Sequence, residues 1–419
     1  MRFIHAADLH IDSPLRGLDR YDGAPVERLR TATRSAFERL IDTAISEHVD
    51  FLLLAGDIYD CDWQDFHTGL FFRGQMVRLE REGIRVFIVQ GNHDAQGVIS
   101  KQLILPPNVS VFSSRAAHTV RLDDLSVAIH GRSFPERAVD EDLVPSYPPP
   151  VPGFFNIGLL HTSLTGRAGH DTYAPTDLPT LNHKGYDYWA LGHVHAREVI
   201  AERPHIVFPG NLQGRHAKET GPKGCELVTV EAGRIESEFV ALDVVRWNQL
   251  IVSLDGVQRL EALGEAFRHA LEPVLTGAMD RLHAVRVTLT GSTELHRLEA
   301  SQPGTLAAAM YGAAQDIGEA EVWIEQVRLD LTTPLDRVQT AQRQDAVGEL
   351  VRLVDSVAGD ESELQRWAQV ELGDLLGSLP QEVAAGDVPK LDDRVELTQL
   401  LMEAEATVLA RLTDLGAEA

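Results

Sequence analysis

The sequence predicts an α/β fold: a sandwich of two sheets packed face to face with helices outside, followed by a small α+β unit and a C-terminal helical region. Three observations predict it. Over residues 1–240 short apolar runs alternate with stretches of helical spacing. Five of those runs stop abruptly in polar residues able to bind a metal. From about Asp243 that motif disappears, and after Pro334 the spacing is helical throughout.

Taken in order, Arg2-Phe3-Ile4-His5-Ala6-Ala7 reads as a strand running into Asp8-Leu9-His10. Pro25–Glu47 is helical, with Leu29, Ala36, Leu40 and Ile41 on one face. Phe51–Ala55 is a strand into Gly56-Asp57, His67–Glu82 a helix, and Val86–Val89 a strand into Gly91-Asn92-His93-Asp94. Val109–Phe112, His118–Leu122 and Ser126–Gly131 lie close together, which predicts antiparallel pairing. Ser146–Pro152 is a proline-rich surface connection. Strands then lead into His161 and into Gly192-His193-Val194-His195. Ile206-Val207-Phe208 ends in Pro209-Gly210-Asn211, and Gly224–Glu231 with Arg234–Leu242 forms a hairpin about Ala232-Gly233. Beyond it, Gln249–Leu254, Val257–Leu275, His283–Leu289, Thr305–Gln315 and Val322–Leu331 read strand, helix, strand, helix, strand. Asp345–Ala358, Ser362–Leu376 and Arg394–Leu415 are helices, the last with Leu397, Leu400, Leu401, Ala404, Val408 and Leu412 as its apolar stripe. These patterns divide the chain into 1–242, 243–333 and 334–419.

Composition sets bounds. A chain of 419 residues exceeds one ordinary core. No run approaches the roughly 18 apolar residues of a spanning helix, so no membrane partner is expected. The N-terminus has no basic segment leading into an apolar one, so no secretory signal is expected. Two cysteines, Cys61 and Cys225, make no disulfide framework and fit a reducing cytoplasm. Cys61 reads as a small filler. The formal charge of −25 argues against a generally polyanion-coating surface. It does not exclude a nucleic-acid substrate, because bound divalent cations reverse the local sign and the acidity is uneven. From Thr333 onward there are about 18 acidic against 7 basic side chains.

The polar strand ends carry the chemistry. Asp8, His10, Asp57, Asn92, His161, His193 and His195 offer carboxylate, imidazole and amide donors without thiolates, which suits Mn, Fe or Zn in a mixed N/O site. Seven donors exceed one tetrahedral ion and suit two ions about 3.5–4 Å apart, as in two-metal phosphoester hydrolases. Asp57 is the bridging candidate, since a carboxylate can serve both ions. Such a pair would activate a hydroxide for in-line attack on phosphorus. His93 is the candidate proton donor to the leaving oxygen, and Asp60 the candidate partner that orients it. Arg215, His216, Lys218 and Lys223 make a basic loop after Pro209-Gly210-Asn211. That loop reads equally as a phosphate-backbone contact or as a solvated turn. His5 reads equally as structural.

Asp8-Leu9-His10, Gly56-Asp57, Gly91-Asn92-His93-Asp94, His161 and Gly192-His193-Val194-His195 together resemble the full motif series of calcineurin-like metallophosphoesterases. Within that superfamily the chain is most similar to bacterial DNA-repair exonucleases of the SbcD and YhaO type. The pointers are His5–Leu15, Gly56–Asp60, Phe208–Asn211 leading into Gly214-Arg215-His216, and Glu219–Cys225. The resemblance covers about residues 1–240 and implies a metallophosphoesterase β-sandwich. By family pattern one ion takes Asp8, His10, Asp57 and His195, the other Asp57, Asn92, His161 and His193, with His93 catalytic and Mn²⁺ the usual activator. Fe, Zn and Mg are the alternatives. The same resemblance implies a DNA-capping role for 243–333, an SMC-like ATPase partner for the terminal helices, and a homodimer through the phosphoesterase domain. The expected function is therefore DNA phosphodiester hydrolysis in the cytoplasm, at the nucleoid, by an exonuclease or endonuclease. Two alternatives stand beside it. One is a phosphoesterase acting on a small nucleotide or phosphoprotein; the other is a scaffold or regulatory subunit of an ATPase complex with weak nuclease activity. The terminal stripe itself serves either packing within the chain or a partner.

Overall fold

The computed structural model describes residues 1–13, 24–60, 66–95, 103–166, 172–317, 321–334, 336–379, 388 and 390–415. They fall into two compact units, Met1–Asn248 with Asp280–Ala284, and Gln249–Met279 with Val285–Ala419.

The first unit is built on two six-stranded sheets. One runs β12 (Arg234–Ala241), β11 (Gly224–Glu231), β1 (Arg2–Ala6), β2 (Phe51–Ala55), β3 (Arg85–Val89), β4 (Val109–Val111). The other runs β5 (His118–Leu122), β6 (Val127–Gly131), β7 (Phe155–His161), β8 (Tyr188–Gly192), β10 (His205–Phe208), β9 (Glu198–Glu202). Strands β1 to β4 are mutually parallel, as are β6, β7, β8 and β10. Each central strand is apolar on both faces because both faces are covered. In β2, Phe51, Leu53 and Ala55 point between the sheets, towards Ile157, Leu159, Tyr188 and Ala190. Leu52 and Leu54 point the other way, into a layer with Phe37, Leu40 and Phe72 of helices α1 (Val26–Ser46) and α2 (Phe66–Arg81). The outer face of the second sheet is closed by Tyr147, Leu181, Trp189 and Phe208, with α3 (Leu178–His183) contributing Leu181. Parallel strands in one sheet end on one edge, so the chain's polar strand ends are gathered there by topology alone.

One expected pairing differs. Only β5 and β6 make the antiparallel pair predicted for residues 109–131. Strand β4 lies parallel to β3 instead, its return fixed by Asn108 Nδ2 donating to the carbonyls of Met76 (3.2 Å) and Ile84 (2.9 Å). The chain changes sheets between β4 and β5, which short spacing along the sequence does not reveal.

The second unit holds most of the three-stranded sheet β13 (Val245–Ser253), β14 (Leu282–Ser292), β15 (Glu321–Thr332), the first residues of β13 and β14 being counted with the first unit. Leu263, Phe267 and Leu271 of α4 (Leu260–Leu275) pack with Leu306 and Met310 of α6 (Thr305–Gln315) and with Val285 and Val287. Short α5 (Leu295–Ser301) and α7 (Arg337–Ala341) lack enough turns for a periodic signal. Helices α8 (Ala346–Gly359) and α9 (Glu361–Gly377) open on Asp345 and Asp360, whose side chains accept from Gly348 N and from Ser362 N and Glu363 N. The last helix, α10 (Arg394–Leu415), packs against α5, α8, α9 and β15. Its buried stripe is Leu397, Leu401, Glu405, Ala406 and Leu409, whereas the expected members Ala404 and Val408 are exposed. The shift follows from Glu405, a buried acid that the apolar count ignores and that Arg337 pairs.

Candidate metal centre

Five strand ends converge. Asp8 and His10 follow β1, Asp57 follows β2, Asn92 and His93 follow β3, His161 ends β7, and His193 and His195 follow β8. The loops after β1 and β2 continue side by side, with Asp8 N donating to Gly56 O and His10 N to Asp57 O, both at 3.0 Å. Asp8, His10, Asp57 and His193 all have positive φ, at 52°, 42°, 54° and 105°. That conformation is unfavourable for residues with a Cβ and turns each side chain off its strand direction into one place. Two glycines make room. A Cβ at Gly56, whose φ is 96°, would stand 2.5 Å from His161 Nδ1, and one at Gly91 would stand 2.3 Å from Asp57 Oδ1.

Three groupings bring donor atoms within 4.8 Å of one another: Asp8 with His10 and His195, Asp8 with Asp57 and His161, and His10 with Asp60 and His93. Asp57 Oδ2 lies 3.5 Å from His161 Nε2 and 4.0 Å from His10 Nε2. The ring of His193 stands edge-on to that of His161, centroids 5.2 Å apart. The backbone N–H of His193 donates to the Asp8 carboxylate at 3.0 Å.

The donor chemistry fits bound cations. His10 Nδ1 donates to Asp60 Oδ1 and His195 Nδ1 to Glu219 Oε1, each at 2.7 Å. The neutral tautomers these bonds select turn two Nε2 lone pairs toward each other at 3.3 Å. His161 Nδ1 donates to Ala55 O at 2.8 Å, so its Nε2 lone pair faces Asn92 Oδ1 at 3.0 Å, acceptor against acceptor. A cation held at each of these places would replace the repulsion with attraction. The electrostatics agree. Burial, then the neighbouring Asp57, pushes the Asp8 carboxyl well above its ordinary range, and burial pushes Asp57 up to about 6. Burial, then Arg215, keeps His10 neutral by pulling it well below the usual imidazole value.

His93 differs from the rest. Its side chain is 29% exposed, at the open rim of the cluster, and its Nδ1 lies 3.2 Å from Asp60 Oδ1 without an aligned hydrogen bond. Burial pulls its pKa down, but Asp60 and Asp57 outweigh that and leave it above the ordinary imidazole value. Asp60 is itself held well below the carboxylate range: burial opposes this, and the His10 and His93 imidazoles overcome it.

Residues 1–197 match the family described as calcineurin-like phosphoesterase, and residues 247–332 match that described as the middle domain of metallophosphoesterase YhaO. Over 334 residues the chain is 36% identical to YhaO, an uncharacterized metallophosphoesterase of Bacillus subtilis, covering 79% of this chain and 81% of the relative. The chain belongs to the calcineurin-like metallophosphoesterases. Two more distant relatives of this metallophosphoesterase are named for DNA work. It is 26% identical over 303 residues to the DNA double-strand break repair protein Mre11 of Methanopyrus kandleri, over 64% of this chain and 62% of that one. It is 24% identical over 279 residues to the SbcD component of the nuclease SbcCD of Escherichia coli K12, over 57% of this chain and 67% of that one.

The metallophosphoesterase motifs thus bring together all seven donors singled out in the sequence, together with His93 and Asp60. Asp60 partners His10 more closely than the His93 it was expected to orient. Of the basic loop, Arg215 is turned inward beside Asp60 and Glu219, while His216 and Lys218 are exposed. His5 is structural: it bridges Tyr188 Oη (3.1 Å) and Leu191 O (3.0 Å), and burial pulls its pKa down to about 3. Cys61 lies outside the described residues, and Cys225 is buried. No helix among the described residues is long and apolar enough to cross a membrane.

The hydrogen-bonding roles of two acids at this cluster were not read from the sequence. Glu219 anchors His195 and also accepts from Arg215 N (2.7 Å) and Asn211 Nδ2 (3.0 Å). A metal-binding histidine calls for such a partner, but nothing in sequence spacing says which acid supplies it. Asp94 accepts from Ile58 N (3.1 Å), Tyr59 N (3.1 Å) and Gly91 N (3.2 Å), and so ties the loop after β2 to the loop after β3. Its place beside Asn92 and His93 was its only signal.

Proposed function

We propose that this metallophosphoesterase is a metal-dependent DNA phosphodiesterase, a nuclease acting in repair beside an SMC-like ATPase. The observation that carries it is the facing of buried lone pairs, His10 Nε2 to His195 Nε2 and His161 Nε2 to Asn92 Oδ1, beside the Asp8 and Asp57 carboxylates, with one imidazole, His93, left at the open rim. Asp8, His10, Asp57 and His195 would hold one divalent cation, and Asp57, Asn92, His161 and His193 the other, with Mn²⁺ the expected metal. When bound, the two cations supply Lewis acidity at phosphorus and lower the pKa of water.

The chain's own groups do the rest. His93, with its pKa raised by Asp60 and Asp57, holds its proton more firmly than a free imidazole and can pass it to a leaving sugar oxygen. Asp57 Oδ1 accepts from the His93 backbone N–H at 3.0 Å, which fixes the donor's loop to the metal-binding carboxylate. His216 and Lys218 stand exposed beyond the cluster, where a phosphate backbone is positioned without sequence readout. The names borne by the Mre11 and SbcCD relatives support DNA as the substrate. The match of residues 247–332 to a distinct middle domain supports a separate module, for which capping of DNA is the reading.

The test is digestion in Mn²⁺ of end-labelled linear duplex, circular single strand and bis-p-nitrophenyl phosphate, with Asp57→Ala as control. Release of label that the control abolishes is expected. Hydrolysis of the small diester with neither DNA cut would move the substrate to a small nucleotide. Inactivity on all three would end the phosphodiesterase reading.

A further inference from the structure

His161 is anchored differently from His10 and His195. His161 Nδ1 rests on a neutral backbone carbonyl, that of Ala55. His10 and His195 each rest on a carboxylate, Asp60 and Glu219, and a single guanidinium lies between those two acids. Arg215 Nη1 is 3.7 Å from Asp60 Oδ1 and 3.4 Å from Ser13 Oγ; Nη2 is 3.5 Å from Glu219 Oε1 and 3.4 Å from His195 Nδ1. Because His195 Nδ1 already donates to Glu219, the last of these is a packing contact. Only 18% of the Arg215 side chain is exposed, and its Nε is buried without a partner among the described residues.

We infer that Arg215 is a positioning residue that clamps Asp60 to Glu219 and thereby sets His10 and His195, the histidines of one cation only. Arginine suits the task. Its planar fork presents Nη1 and Nη2 in fixed relation, so it reaches two acids at once, whereas a lysine ammonium reaches one. The clamp also offsets the charge of two mostly buried acids whose hydrogen bonds orient the rings and make them better donors. No arginine is called for at His161, where the anchor carries no charge. The inference rests on the two-cation reading above and replaces a phosphate-contact role for Arg215.

The experiment is Mn²⁺ binding to the full-length chain, followed by the six-line paramagnetic resonance signal of free Mn²⁺, with melting of each metal-free protein in parallel. Wild type should take up two ions. In Arg215→Gln one ion should bind as in wild type, and the other about 10–100-fold more weakly. Arg215→Lys should lie between, and it carries the test alone if the glutamine variant fails to fold. Two unchanged affinities overturn the clamp, and with a raised KM for a phosphodiester they return Arg215 to the substrate. Equal weakening of both ions also overturns it, because the two acids that Arg215 clamps anchor His10 and His195. A wild-type chain that binds no pair of ions instead sinks the reading of the centre itself, before any variant is compared.

Discussion

The two units treat local backbone rules in opposite ways. Among described residues, ten that are not glycine have positive φ, and all lie before Gln249. Five of them, Asp8, His10, Asp12, Asp57 and His193, are in or beside the candidate metal centre. Each costs on the order of 1–3 kcal/mol. The second unit has none among its described residues, and its helices α7, α8 and α9 open on the aspartate caps Asp336, Asp345 and Asp360. Strain and buried acceptors facing one another concentrate where a ligand can repay them.

That contrast can be broken most directly at Asp57. Asp57→Ala should lower Mn²⁺-dependent turnover of bis-p-nitrophenyl phosphate on the order of 10³-fold or more. The metal-free variant should melt no lower than wild type, since a buried carboxylate leaves the side of Asp8. A lower melting temperature would make Asp57 a structural residue. His93→Ala sharpens the boundary of the site: a loss of about 10²-fold in turnover is expected, with bound Mn²⁺ unchanged by elemental analysis. Loss of metal would make His93 a ligand.

In the second unit the expectation is stability alone. Arg337 pairs Glu405, which is buried, and also reaches Asp355 at 2.8 Å. Removing the partner of a buried acid costs about 3–5 kcal/mol, but Arg337 is partly exposed and water reaches it, so Arg337→Ala should cost about 2 kcal/mol in urea unfolding. Glu405→Met should be nearly neutral, within about 1 kcal/mol. If Arg337→Ala instead abolished Mn²⁺-dependent turnover, the division of labour would fail.

The smallest effect expected is a pH dependence of the metal-free protein. Burial raises Asp57 to about 6 and Asp94 to about 7, above the carboxylate value of about 4 in an unfolded chain. The folded state therefore holds extra protons across that window, and their stabilisation is lost as pH rises through the folded values. Buried His5 and His10, held below the imidazole value, push the other way over the same range, so the effect is read as a difference. The melting temperature of wild type should fall relative to that of Asp57→Asn, on the order of a few degrees from pH 5 to pH 7.5. Saturating Mn²⁺ should flatten or reverse the slope, since it binds the ionised carboxylate. A metal-free wild type that keeps pace with Asp57→Asn over this range would mean that Asp57 is not raised.

Much of this was legible in the residues. The runs ending in Asp8, Asp57, Asn92, His161 and His193 announced both the buried parallel strands and the polar donors that meet at their ends, because the same abrupt change from apolar to polar marks each. The hairpin about Ala232-Gly233 was equally plain from its turn chemistry. Strand β4 was not, since a choice of sheet is settled by contacts distant in sequence, here Asn108 with Met76 and Ile84. Glu219 escaped for the same reason, and Arg215 was legible as basic but not as inward-facing. The stripe on the last helix was read from apolar residues alone, so the paired Glu405 rotated it.

Asp94 joins the amides of Ile58, Tyr59 and Gly91 through one carboxylate. Amide exchange at those three positions should therefore share a single opening event instead of reporting two separate turns. The loops bearing Asp57 and Asn92 would then release together, and a cation held by both would leave all at once.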